Sequence, residues 1–188
     1  MSTAQPIDLH DIQPLPQVLR ALAFAAHKHR DQRRQDPQAS PYINHPIALA
    51  NVLINEGGVH DTGTICAALL HDTVEDTETT PEELEEEFGK VIRDVVLEVT
   101  DDKRLTREER KHLQIVHSPA LSQAAKLVKL ADKICNLRDV ASNAPANWDL
   151  ARRQQYFDWA KQVVDGLRGA HAQLEAIFDE AFRQRPAR

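Results

Sequence analysis

Methionine occurs once, cysteine twice and glycine six times in this chain, and aromatic residues make up only 5% of it. So little glycine and so few aromatics disfavour a sandwich or barrel, architectures that need many tight turns. No apolar run approaches the roughly 20 residues that cross a bilayer, which excludes a membrane protein built on spanning helices. The stretch from Met1 to Gln17 has neither a basic start nor an apolar core, so no secretory leader is expected. Cys66 and Cys135 both lie in apolar helical sequence, the setting of buried thiols in a reducing cytoplasm rather than of a disulfide. What is present is ordinary for a globular domain: 188 residues, 41% hydrophobic and 28% charged, enough for one domain with its own core. The net charge of −6 argues against a general nucleic-acid binder.

The charge is uneven. Residues 101–140 hold nine Lys or Arg against six acids, whereas the rest of the chain carries 14 bases against 23 acids. A basic region on an acidic protein suits a small anionic ligand, although solvated helix faces would give the same balance.

Helical periodicity runs almost throughout, and no segment alternates at period two. Val18, Leu19, Leu22 and Ala26 make an apolar stripe after Pro14 and Pro16, predicting a helix to about Arg30. Residues 31–44 are polar with two prolines and read as a loop. A second helix is expected from Pro46 to Gly57-Gly58, and a third from a cap at Asp61, with Ile65, Ala68 and Leu69 inward, running into HDTVED. Thr80-Pro81 and Thr106-x-x-Glu109 open two more with capping boxes. The β-branched set Val91, Ile92, Val95, Val96 and Val99 allows a strand, but its spacing favours a buried helix. Longer helices are expected over about 120–140, 148–168 and 170–183. The chain reads as a single all-α domain.

One constellation carries chemistry. His71-Asp72 offers an imidazole nitrogen beside a hard carboxylate oxygen, a donor mixture that suits Mn, Fe or Zn. Glu75 and Asp76 follow one helical turn later on the same stripes. Three acids so close together repel when ionised, and a cation is the simplest compensation. Asp132 stands in a strongly apolar helix and needs a partner, either a metal or one of Lys129 and Lys133. His45, in Tyr-Ile-Asn-His-Pro, is either a further ligand or a helix-cap histidine. The remaining conspicuous residues read blandly: His27 and His29 as surface residues, Trp148 and Trp159 as helix packing, Glu82 to Glu87 as a solvated face.

His45, His71-Asp72 and Asp132 together resemble the H…HD…D pattern of the HD-domain metal phosphohydrolases. The strings PYINHPI, AALLHDTVEDT, VTDDK, AKLVKLADKICNLRD and QQYFDWAKQVV are similar to the hydrolase half of the RelA/SpoT alarmone enzymes and to the small free-standing alarmone hydrolases, including the metazoan SpoT homologues. The likeness spans roughly residues 18–183. It implies a helical HD-type domain over 18–184, flanked by an extension at 1–17 and a tail at 185–188. It also implies one Mn²⁺ held by His45, His71, Asp72 and Asp132, with Glu75 and Asp76 as the catalytic carboxylate pair. The implied reaction removes pyrophosphate from the 3′ position of guanosine 3′,5′-bis(diphosphate) or the pentaphosphate, with no nucleic-acid or membrane partner. Arg34 matches a family arginine against the guanine, Asn136 an asparagine near the ribose and phosphate, and Arg152 and Tyr156 positions lining the nucleotide pocket. Lys103, Arg107 and Lys111 belong to the basic region where phosphates are expected. Gln35 departs from the family, which commonly has lysine there. Two other readings belong beside this one: removal of the 2′-phosphate of NADPH by the same metal and water, and a non-catalytic nucleotide-binding module. The intact ligand set argues against the second of these.

Overall fold

A computed structural model describes residues 15–187 and is helical throughout; among these residues the one β-type pairing is an isolated bridge between Arg33 and Pro41. The chain order is α1 (Leu15–Lys28), α2 (Asn44–Asn51), α3 (Thr62–Leu70), α4 (Thr73–Asp76), α5 (Pro81–Phe88), α6 (Lys90–Val99), α7 (Arg107–His117), α8 (Gln123–Ser142), α9 (Leu150–Asp165) and α10 (Ala172–Arg183). A π-helical turn over Val52–Glu56 continues α2, and a 3₁₀ turn over Ser118–Ala120 joins α7 to α8. Most of the expected 1–17 extension, the stretch in which no leader is expected, falls outside the described residues, as does Arg188. Pro16 lies in the first turn of α1, where its missing N–H costs nothing.

The centre of the molecule is α3, apolar on every side and buried from Thr64 to Leu70. A helix of that kind is stable only when covered all round. It is covered by α1, α2, α6 and α8. The second internal element is α8, which buries Leu127, Val128, Leu130, Ala131, Ile134 and Leu137. These two helices bring HDTVED next to LADK.

Local chemistry starts several elements where the sequence suggests, although the third helix, expected to run into HDTVED, breaks at His71-Asp72. The Asp61 carboxylate accepts the Thr64 N–H at the start of α3. Thr106 and Glu109 form a full reciprocal capping box on α7, an arrangement in which the Thr cap alone contributes about 1 kcal/mol. The box at Thr80 is half-formed: its hydroxyl accepts the Glu83 N–H, while the Glu83 carboxylate turns to Lys28. Gly89, at φ +83°, makes the sharp turn from α5 into α6, a conformation that a side chain would strain.

Three expectations shift. The stripe on α1 is rotated: Ala21 and Ala25 are buried with Val18 and Leu22 against them, while Leu19 faces outward. The valine-rich segment is a helix, yet Val91 is 75% exposed and only Ile92, Val95, Val96 and Val99 enter the core. His29 is not a surface residue. At 2% exposure it is packed under the loop that follows α1, its ring 4.8 Å from that of Tyr42.

Candidate metal centre and its cleft

The helix carrying His71 stops at the residue before it. α3 ends at Leu70, and α4 begins only at Thr73. His71 and Asp72 therefore form a corner between two helices, and Asp72 takes a bridge-region backbone conformation with φ −101° and ψ 0°. That corner turns both side chains toward the first turn of α2, where His45 sits. Donor atoms of His45, His71 and Asp72 lie within 4.8 Å of one another. The two imidazole rings are 5.3 Å apart. Asp132 reaches in from the middle of α8, its Oδ1 3.2 Å from His45 Nε2.

Hydrogen bonds around this group fix which atoms are free. The Ala68 carbonyl can only accept, so His71 Nδ1, 2.8 Å away, carries a proton, and in the neutral ring Nε2 holds the lone pair. Nε2 lies 2.9 Å from Asp72 Oδ2 but makes no aligned hydrogen bond. His45 Nδ1 is likewise buried without a partner. Burial alone would raise both acids, yet His71 beside Asp72, and Lys133 and His45 beside Asp132, hold the two carboxyls well below the usual carboxylate range. Burial lowers the His45 pKa, favouring the neutral ring. Burial opposes the charged ring at His71 too, but Asp72 and Asp132 beside it raise its pKa. Imidazole nitrogens without hydrogen-bond partners, facing ionised carboxylates in a buried chamber, are the donor set that a divalent cation needs once it displaces any proton on the rings. The residues fit such an ion.

Glu75 and Asp76 occupy α4, one turn beyond. Glu75 Oε2 accepts the Asp101 backbone N–H at 3.0 Å, and its Oε1 is 3.5 Å from Arg110. Burial raises the Glu75 pKa, with that N–H opposing in part. Asp76 accepts from Lys103 on Oδ1 and from Gln32 Nε2, 2.9 Å away, on Oδ2.

His45, His71, Asp72, Glu75, Asp76, Asp101 and Asp132 line one inner chamber of about 230 Å³, with Lys129, Lys133, Gln114 and Trp159 in its wall. It opens past Arg34, Tyr42, Asn136 and Tyr156 into an outer cavity of about 670 Å³, a size that holds a nucleotide-scale ligand. Arg34, Arg107, Asn136, Arg152 and Tyr156 line the outer cavity, as the sequence leads one to expect. Lys111 lies in an adjoining cleft of about 360 Å³ that shares Arg107, Trp148, Arg152 and Tyr156 with it. Lys103 lines none of the three and is spent on Asp76. Asn136 donates to Asp132 Oδ1 at 2.5 Å, and Arg34 pairs with Asp139.

Several residues escaped the sequence reading. Tyr42 donates its hydroxyl to Asp72 Oδ2, and burial with that carboxylate pushes its own pKa up. It stands three residues before His45 in PYINHPI, the one signal that could have found it. Gln32, on Asp76, had no signal at all. Lys133 answers the need of Asp132 for a partner at 2.9 Å, while Lys129 instead donates to the Val99 carbonyl. The two are alternatives to a metal on paper and neighbours of the site in space. Trp148 and Trp159 do pack, but Trp148 also lines the outer cavity with a buried, unpartnered Nε1. Trp159 takes Lys111 and Lys133 over its face at 4.7 and 4.4 Å.

The chain is 56% identical over 165 residues to the Xenopus tropicalis protein named guanosine-3′,5′-bis(diphosphate) 3′-pyrophosphohydrolase MESH1, covering 88% of this chain and 92% of that one. An Aquifex aeolicus guanosine-3′,5′-bis(diphosphate) 3′-pyrophosphohydrolase is 36% identical over 132 residues, or 69% of this chain and 18% of the much longer relative. A solved structure, described as a metazoan ortholog of SpoT that hydrolyses ppGpp and plays a role in starvation responses, superposes with a TM-score of 0.87 at 49% identity, covering 97% of this chain and 98% of that one. Residues 21–157, from the middle of α1 to the middle of α9, match the HD domain family, and the chain belongs to it.

Proposed function

We propose that this protein is a metal-dependent phosphohydrolase that removes pyrophosphate from the 3′ position of guanosine 3′,5′-bis(diphosphate), releasing GDP, and releasing GTP from the pentaphosphate. The observation that carries this reading is the 56% identity, over 92% of its length, to a relative named for that reaction. The chamber has the parts the reaction needs. His45, His71, Asp72 and Asp132 would hold the ion, and the resemblance to the alarmone hydrolases favours one Mn²⁺. The chemistry a divalent cation supplies at such a site is Lewis acidity toward a phosphoryl oxygen and toward the attacking water.

The chain's own groups divide the remaining work. Both oxygens of Asp76 are occupied, by Lys103 and by Gln32, so Asp76 serves as a fixed acceptor that orients the water. Glu75 Oε2 is held by a backbone N–H, while Oε1 has only Arg110 at 3.5 Å. Oε1 is the atom to which we assign proton uptake from the water. The raised pKa of Glu75 brings it closer to neutrality, where a general base accepts and releases a proton with least penalty. Water adds to the ribose-linked phosphorus of the 3′-diphosphate, the bond from that phosphorus to the ribose 3′-oxygen breaks, and the proton held on Glu75 is available to the departing oxygen. Because the products are GDP and pyrophosphate, it is the ribose 3′-oxygen that leaves.

In the outer cavity, Arg34 offers a planar guanidinium to a purine, and Asn136 and Tyr156 stand between base and reacting phosphate. Arg107, Lys111 and Arg152 are the cations for the 5′-phosphates. The test is product analysis with Mn²⁺-loaded protein, offered guanosine 3′,5′-bis(diphosphate) and NADPH in parallel with a chelator control. Chelator-sensitive GDP and pyrophosphate, with NADPH much slower, is the expected result. NADH and phosphate as the faster products would replace the alarmone with the dinucleotide as substrate.

A further inference from the structure

His29 has no place in the mechanism, yet it is almost fully buried, and its bonds lead to the carboxylate pair. Its Nδ1 is 2.6 Å from Gln32 Oε1. An amide oxygen cannot donate, so His29 Nδ1 carries the proton and donates it. That choice fixes the other end of the amide, because Gln32 must then present Nε2 to Asp76, as it does at 2.9 Å. Without His29 the amide is free to turn over and offer its oxygen to the carboxylate, which would repel it. The same imidazole packs on Tyr42, the residue whose hydroxyl is on Asp72. Nε2 of His29 is buried with no partner, so the ring's one polar duty is toward Gln32.

We infer that His29 is a positioning residue that acts through Gln32 to hold Asp76 in the orientation its role requires. This rests on the reading of Asp76 as one of the two carboxylates that handle the water. The relay is one of orientation: no proton moves along it, and the two N–H donors stay on His29 and Gln32 throughout.

The experiment is a double-mutant cycle on the metal-loaded full chain, following hydrolysis of guanosine 3′,5′-bis(diphosphate). His29→Phe keeps a ring against Tyr42 and removes only the bond to Gln32. Gln32→Met breaks the same link from a less buried position and carries the test if the first variant fails to fold. Each single variant is expected to lower kcat about 10-fold or more, the scale of outer-shell partners, with KM and bound Mn²⁺ unchanged. The double variant is expected to lose no more than the worse single one, because the two act as one unit. Losses that multiply in the double variant overturn the relay, as does a wild-type kcat in Gln32→Met. Asp76→Asn separates the two levels. If it is slow while Gln32→Met is unimpaired, the role of Asp76 stands and only the relay is lost. If Asp76→Asn turns over at the wild-type rate, the reading of Asp76 and the relay both fall.

Discussion

The inner chamber and the outer cleft meet at Tyr156 but are built in opposite ways. In the chamber, His45, His71, Asp72 and Asp132 come from α2, the α3–α4 corner and α8, elements that also form the core. Each of these side chains is tied to another group of the site or to the backbone: His71 to Ala68, Asp72 to Tyr42, Asp132 to Asn136 and Lys133. The cleft instead draws Arg34 from a loop and Arg107, Lys111 and Arg152 from α7 and α9. α7 buries none of its residues, and Lys111, Arg152 and Arg34 rest on aromatic faces or an acid rather than in a closed network. The chamber is therefore over-determined, and one missing group leaves its neighbours unpaired in a buried site. The cleft is a collection of semi-independent contacts, and losing one should produce a graded effect.

The sharpest way to break that contrast is Asp72→Ala. It removes a proposed metal donor together with the neighbour of His71 and the acceptor of Tyr42, and we expect both bound Mn²⁺ and turnover to be lost while the far-ultraviolet circular dichroism stays helical. Metal content equal to wild type would withdraw the ligand assignment. Glu75→Gln should keep the metal and cost about 10²-fold or more in kcat, the range of a lost general base. A rate near wild type would remove Glu75 from the mechanism. Tyr42→Phe tests whether the chamber extends to groups that touch only a ligand. The expected outcome is a fall of about 10- to 100-fold in Mn²⁺ affinity or in activity, measured by metal titration and initial rates.

On the cleft side, Arg152→Ala should raise KM several-fold with kcat nearly unchanged, since a cation far from the reacting phosphorus contributes binding rather than transition-state selectivity. A drop in kcat with constant KM would place it in the chemistry and erase the distinction. The smallest effect belongs to Glu56, which ties the π-helical turn after α2 to Arg138 on α8, the helices that supply His45 and Asp132. Its hydrogen bonds from Arg138 hold the carboxyl below its ordinary value. A depressed folded-state pKa means stability that is present above the unfolded value and lost as pH falls through the folded one. The pair is partly exposed and screened, so Glu56→Gln should cost at most about 1 kcal/mol at neutral pH. That difference should vanish in acid, as read from denaturation midpoints across pH.

The legibility of the molecule follows the same division. The caps at Asp61 and Thr106 and the apolar run of α3 are local matters of a few residues, and they appear in the structure as the residue types require. The chamber was readable because buried charge is expensive. An aspartate inside AKLVKLADKICNL demands a partner, and HDTVED places four ionisable groups at the end of a core helix. His29 was misread because its own neighbours, Lys28 and Arg30, are charged, and nothing local reports that the following loop folds back over it. Gln32, and the place of Trp148 in the cavity wall, went unseen for a related reason. An amide or an indole carries no charge whose burial would have to be explained.

The amino-acid sequence by itself determined the helical class, most helix ends, and the set of groups able to hold a cation, because periodicity, capping and the cost of burying charge act over short range. Only the tertiary structure decided which nitrogens are free, which oxygen of Glu75 is open, and that Tyr42 and the His29–Gln32 pair reach the carboxylates. Those facts depend on the direction of hydrogen bonds between segments far apart in the chain. Direction is a property of packing, and no residue type encodes it alone.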